Sequence, residues 1–231
     1  LTIYNDTSSR MSVTIMPGRI FILQNINIRM NTTRFITPDE IDYLRVTYAV
    51  GRKNVGSVIT QDQQDTIVNN IRKAMMNGGM HVIVVFDSDN NPIASCQAFE
   101  VPNLRAWRWC GISSVKNFNH YNKTASILVP AFEMMTALME SKGYYKFWAI
   151  NAESDLNIRF KITCKNSPMM SRYSYYDEMI IPKGKTSGIP LFDGYRFAAD
   201  AYDVVVRLFI LDQQHRGEIF RGLGYSDYKG S

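Results

Sequence analysis

The chain has 231 residues, of which 45% are hydrophobic, 20% charged and 12% aromatic, a balance that excludes a disordered, collagenous or membrane-packed chain. Its net charge of +5 suits an anionic partner, but Lys and Arg are scattered, densest at "RKN", "KGK" and "RAWR", so a solvated surface is expected and a nucleic-acid groove is not. No stretch reaches the roughly 18 apolar residues of a spanning helix, and the opening "LTIYNDTSSR" lacks the basic-then-apolar pattern of a secretory leader; a cytoplasmic location without a membrane partner is the expectation.

Residues 1–18 read as an N-terminal arm. "RIFILQNINIRM", residues 19–30, is rich in β-branched residues with partial alternation and predicts a first strand. "TPDE" follows, with Thr37 as N-cap, Pro38 at the first helical position and Glu40 completing a capping box. Ile41, Leu44 and Tyr48 then share one face and Gly51 can end the helix. Thr60 and Gln63 repeat the capping logic, Ile67, Ile71 and Met75 recur every four residues, and "NGG" at 77–79 stops this second helix.

Residues 81–115 read as three strands joined by tight turns at "DSDNNP" and "VPNL", the pattern of antiparallel hairpins. Within them "NLRAWRW" interleaves Arg with Trp as a single-strand nucleic-acid binder would. The same spacing also gives a two-faced hairpin arm, which is the preferred reading. "FEMMTALMESKG" is amphipathic, with Phe132, Met135 and Met139 near one stripe as core filler and Gly143 as C-cap. "YYKFWAINA" predicts a strand, residues 153–162 a short helix, and "RYSYYDEMIIP" a further strand. Residues 183–231 read as a C-terminal extension containing "DAYDVVVRLFIL" as helix or strand. That order implies an α+β fold, a mixed and mainly antiparallel sheet flanked by helices.

Cys96, Cys110 and Cys164 are widely spaced and read as buried small hydrophobes rather than a zinc set or an activated thiol. His81, His120 and His215 do not form a metal set. "QHRGEI", Gln214 to Ile219, resembles a phosphate-binding run at Gln214 and Gly217, but too little chain follows for a helix and a strand, so it reads as tail turn chemistry.

The joint "SSVKNFNHYNKTASILVPAF", residues 113–132, is where a strand gives way to a helix. Two helix starts are open: one at the joint itself, and one near Val129, because Pro130 suits a first turn, which would leave "TASILV" extended. An element order with this joint at its centre resembles the GNAT superfamily of acyl-CoA-dependent N-acetyltransferases over residues 19–182. In that family a Val closes the fourth strand, and five residues later Q/R-x-x-G-x-G/A begins the loop whose backbone amides hold the cofactor's pyrophosphate, as helix N-termini hold anions. Val115 followed by His120 matches the spacing, with Lys123 at the first Gly position and Leu128 at an apolar one.

The resemblance implies acetyl-CoA or another acyl-CoA as cofactor, held by Ser113, Ser114, Val115, His120, Asn122, Lys123, Thr124, Ala125 and Ser126, with Asn151 on the next strand. Glu100 is the implied general base. The family's usual Tyr acid falls on Ile158. The implied activity is acyl transfer to an amine on a small molecule or protein. The alternative is a catalytically silent GNAT-like interaction or assembly protein, as in viral settings, where it would be virion-associated.

Overall fold

The computed structural model describes residues 13–16, 19–22, 31–47, 60–114, 121–152, 164–189 and 203–225, with side chains undescribed at 13–16, 19–22, 121–126 and 151–152. The chain divides into Leu1–Met30 and Asn31–Ser231. In the first unit, β1 (Val13–Met16) pairs antiparallel with β2 (Arg19–Ile22). Of the predicted strand 19–30, Arg19–Ile22 is therefore one arm of a two-stranded sheet and not part of the seven-stranded one, and 23–30 lie outside the described residues.

The first strand of the seven-stranded sheet is β3 (Thr32–Phe35), which pairs with β4 (Met80–Phe86). The sheet continues through β5 (Pro92–Val101), β6 (Ala106–Ser114), β7 (Lys146–Ala152), β8 (Tyr173–Ile181) and β9 (Val204–Leu211). Its spatial order is β3-β4-β5-β6-β7-β9-β8, and every neighbouring pair is antiparallel except β6 with β7. A mixed, mainly antiparallel sheet is thus confirmed. Part of the span read as a C-terminal extension, 183–231, lies within this sheet: β9 is between β7 and β8, pairing Lys146 with Ile210 on one side and Ile181 with Val204 on the other. The run Val204–Val206 is buried, so its hydrophobicity is that of an inner strand.

Helices cover both faces. On one face lie a short turn at Pro38–Glu40, a helical segment at 43–47 and α1 (Gln61–Met76). The Thr37 N–H donates to Glu40 Oε2 at 3.0 Å, and Arg34 clamps the same carboxylate at 2.7 and 2.9 Å. Both arms of the second capping box are made: Gln63 N–H to Thr60 Oγ1 at 3.2 Å, and Thr60 N–H to Gln63 Oε1 at 2.9 Å. Ile41, Leu44, Val68 and Ile71 pack there against Val82, Val84 and Phe86. Tyr48 and Gly51 lie outside the described residues, as does the helix expected at 153–162.

On the other face α2 (Tyr121–Ser141) lays Leu128, Phe132, Met135 and Met139 on Ile83, Cys96, Trp107 and Trp109. The helix start near Val129 is therefore corrected: 124–129 is helical and Pro130 lies inside. A mid-helix Pro costs about 3 kcal/mol. Four buried side chains of this stripe, each contributing about 1.5–3 kcal/mol on burial, outweigh it. After β9, α3 (Gln213–Gly222) begins with Asp212 Oδ1 accepting from the His215 N–H at 3.0 Å. "QHRGEI" is thus a capped helix and not tail turn chemistry. No helix among the described residues is long and apolar enough to cross a membrane.

Candidate active site

The one parallel contact in the sheet is also its shortest inner one. β6 and β7 pair only at Ala106↔Lys146, Trp107↔Phe147, Arg108↔Trp148 and Trp109↔Ala149. Both strands go on: β6 stays with β5 as far as Ala94↔Ser114, and β7 stays with β9 as far as Ala152↔Val204. Past Trp109 and Ala149 the sheet forks.

The cause is in the register of β5 and β6. Ala98 faces Trp109 and Gln97 faces Gly111, which leaves Cys110 as an extra residue. A bulge bends its strand and sharpens the local twist, and this one follows directly on the last residue paired with β7. Gly111 was the sequence signal for it, since Gly inside a strand marks bulges.

The helix points its start at the mouth of this fork. Phe132 stacks on Trp109 with ring centroids 4.5 Å apart, while Lys142, just past the helix, reaches Glu100, the register partner of Trp107. The helix therefore runs antiparallel to β6. From Phe132 back to Tyr121 it covers about 16 Å at 1.5 Å per residue. From Trp109 on to Ser114 the strand also covers about 16 Å at 3.3 Å per residue. The N–H groups of Tyr121, Asn122 and Lys123 have no acceptor within the helix, and with the positive end of its dipole they come level with the open end of β6.

Of the expected cofactor residues, Asn122, Lys123, Thr124, Ala125 and Ser126 form the first turns of α2, and Asn151 lies on the separated arm of β7. Val115 and His120 lie outside the described residues. Ser113 and Ser114 end β6, but their hydroxyl protons are committed. Ser114 Oγ donates to the Ile93 carbonyl at 3.0 Å. Thr47 Oγ1 donates to the Leu44 carbonyl at 3.1 Å, so in its 3.0 Å contact with Ser95 Oγ the serine must donate. By the same logic Ser113 donates to Ser95 at 2.9 Å. Ser113 thus offers only lone pairs, on the face of the 43–47 segment and away from α2. Neither serine has a proton left for a phosphate oxygen.

Glu100 sits on the paired side of the fork, level with Trp107 and 8% exposed. Its carboxylate accepts from Lys142 and His81, and from the Tyr144 hydroxyl at 2.8 Å. Burial pushes its pKa up, and the bonds from Lys142, His81 and Tyr144 outweigh this, leaving it below the ordinary carboxylate range. The same contact and burial push the Tyr144 hydroxyl up to about 12. A carboxylate so engaged is a weak proton acceptor at neutral pH. No local window could show its partners, because Lys142 and Tyr144 lie 42 and 44 residues away. Burial raises the pKa of all three cysteines, so none is an activated thiol. Trp107 and Trp109, expected on one arm of a hairpin, are buried in the core and offer no ring to a base.

No protein-family model matches the chain, and no curated protein matches it. Solved structures do. A GNAT-family protein of Desulfovibrio desulfuricans aligns with a TM-score of 0.51 at 12% identity, over 79% of this chain and 100% of its own. A chimeric spermidine N-acetyltransferase based on SpeG of Vibrio cholerae gives 0.51 at 12% identity, over 82% and 98%. A ribosomal-protein-alanine N-acetyltransferase of Escherichia coli gives 0.50 at 10%, over 79% and 94%. With the forked parallel pair and the helix at its mouth, these similarities show that the chain has the fold of the GNAT N-acetyltransferases.

Proposed function

We propose that the chain is an acyl-CoA-dependent acyltransferase that acts on an amine. The observation that supports this most is the fork between β6 and β7, opened by the Cys110 bulge and faced by the three free amides that start α2. A diphosphate suits N–H donors grouped at a positive helix end. The amides of Tyr121, Asn122 and Lys123 would hold an acyl-CoA there, and Thr124, Ala125, Ser126 and Asn151 would flank it. The thioester supplies the activated acyl group.

The β6 edge beyond Trp109 is released from β7, so its backbone donors are free to polarise a carbonyl, as oxyanion donors do. The amine approaches from the opposite face, where Ser113 Oγ can accept an N–H. Because Glu100 is tied to Lys142, the amine proton would leave to solvent, the CoA thiolate released as the C–S bond breaks would take its proton from water, and the rate would come from positioning. Similar folds act on amines according to their names, a spermidine and a ribosomal-protein alanine; here the acceptor is a small molecule or a protein.

Titration calorimetry with acetyl-CoA tests this. Micromolar binding is expected, weakened at least tenfold by Lys123→Glu, which sets a negative charge beside the anion wherever its side chain points. A titration without heat refutes the transferase reading and leaves a catalytically silent interaction module.

A further inference from the structure

The end of the sheet opposite the fork gathers charge that the sequence scatters. Arg105 immediately precedes β6, Lys146 opens β7 and pairs with Ala106 beside it, and Ile210, the partner of Lys146 in β9, lies three residues before α3, which carries Arg216. Backbone bonds draw these strand ends together: the Tyr145 N–H donates to the Arg105 carbonyl at 3.0 Å, and the Leu211 N–H to the Tyr145 carbonyl at 2.9 Å.

The three cations surround three rings. The Arg105 guanidinium lies 4.8 Å from the Phe220 centroid and 5.5 Å from that of Tyr225. Lys146 Nζ and the Arg216 guanidinium lie 4.9 and 5.3 Å from the Tyr145 ring. The rings themselves touch, Tyr145 with Phe220 and Phe220 with Tyr225, each at 5.7 Å. Tyr225 is 51% exposed.

Two features do not follow from folding alone. None of the three cations has an ion pair with an acidic group among the described residues, although each raises the local potential for the others, and Arg216 Nε is buried without a hydrogen-bond partner. Glu218, nearby on α3, bonds instead towards Gln214. Arg105 is also held in the left-handed region, φ 48 and ψ 48, where a side chain is strained and Gly or Asn would be the ordinary choice.

We propose that Arg105, Lys146 and Arg216, set around Tyr145, Phe220 and Tyr225, form a binding surface for single-stranded nucleic acid. Phosphates relieve the mutual repulsion of the cations, and a base stacks on the exposed Tyr225 ring, the combination of charge and π-face that such strands use. Guanidinium groups present paired donors to phosphate oxygens. An anionic bilayer would share the charge requirement, but the centre of this patch is aromatic, and the exposed Leu104 and Leu223 are single side chains rather than a continuous apolar face.

The test uses the full chain and a fluorescein-labelled 20-mer oligothymidylate, read by anisotropy. Binding is expected at 50 mM salt, and three phosphate contacts on a single strand weaken it about 20-fold at 200 mM. Arg105→Gln, Lys146→Gln and Arg216→Gln each flatten the logarithmic salt slope by about 0.7. Tyr225→Ala weakens binding about tenfold with the slope unchanged. Lys185→Gln, at the far end of β8, leaves binding as it was, and far-UV circular dichroism of every variant checks the fold. No binding at 50 mM, a triple Gln variant that is folded and binds as before, or association with phosphatidylserine vesicles and not with the oligonucleotide overturns the proposal. The readout does not depend on acyl-CoA, so it stands or falls apart from the transferase reading.

Discussion

Replacing Glu100 separates a structural carboxylate from a catalytic one. Glu100→Gln keeps the volume but offers one acceptor oxygen where Lys142, His81 and Tyr144 now donate to two. Lys142 is 36% exposed and turns to water at a cost of about 0–1 kcal/mol. Exchanging charge-assisted hydrogen bonds for neutral ones costs about 1 kcal/mol more, so the Gln variant loses roughly 1–2 kcal/mol. Glu100→Leu also strands the buried Tyr144 hydroxyl, which adds about 1–3 kcal/mol. Urea denaturation at pH 7 is the assay, with an expected midpoint shift of about 0.5–1 M for Gln at a slope of about 2 kcal/mol/M. Because the folded pKa lies below the ordinary 4.5, the stabilisation is complete above pH 4.5 and drains as the pH falls through the folded value. The gap between wild type and Gln therefore narrows as pH is stepped from 7 to 3. A Gln variant as stable as wild type but about 100-fold slower in acyl transfer would refute this reasoning and restore Glu100 as the base.

Two further outcomes follow from burial. Phe132→Ala empties a fully buried site stacked on Trp109, and a loss of about 3–5 kcal/mol is expected by the same denaturation assay. Cys96 is buried and Cys110 and Cys164 are half-buried, and burial raises the thiol pKa of all three, so labelling by an aromatic disulfide reagent at pH 8 should be slower in the native protein than in guanidinium and slowest at Cys96; fast native labelling of Cys96 would contradict its burial.

Local pattern made some of this legible. The box of Thr60 and Gln63, the hairpin turns between β4, β5 and β6, and the stripe of Phe132, Met135 and Met139 are all set by residues within four or five positions of each other, and each formed as its spacing implied. The edge strand Thr32–Phe35 is too short to show a period. The place of Val204–Leu211 between β7 and β8 depends on partners up to 64 residues away, which no local window contains. The joint at 113–132 was recognisable by spacing from Val115, yet its opening is made by a register shift at Cys110, and its two serines turned their protons inward through neighbours at Thr47, Ser95 and Ile93. Arg105 belonged to a motif read for its tryptophans, and it is the arginine that reaches the surface.

The insertion of β9 also bears on how the protein is made. Until residues 204–211 leave the ribosome, one edge of β7 stands open, with Phe147, Ala149 and Ile150 on it, all buried in the finished sheet. An exposed apolar edge of that kind templates strand addition from other chains, and closing it last makes for slow, non-local assembly. Nascent chains stalled before residue 204 should accordingly depend on chaperones.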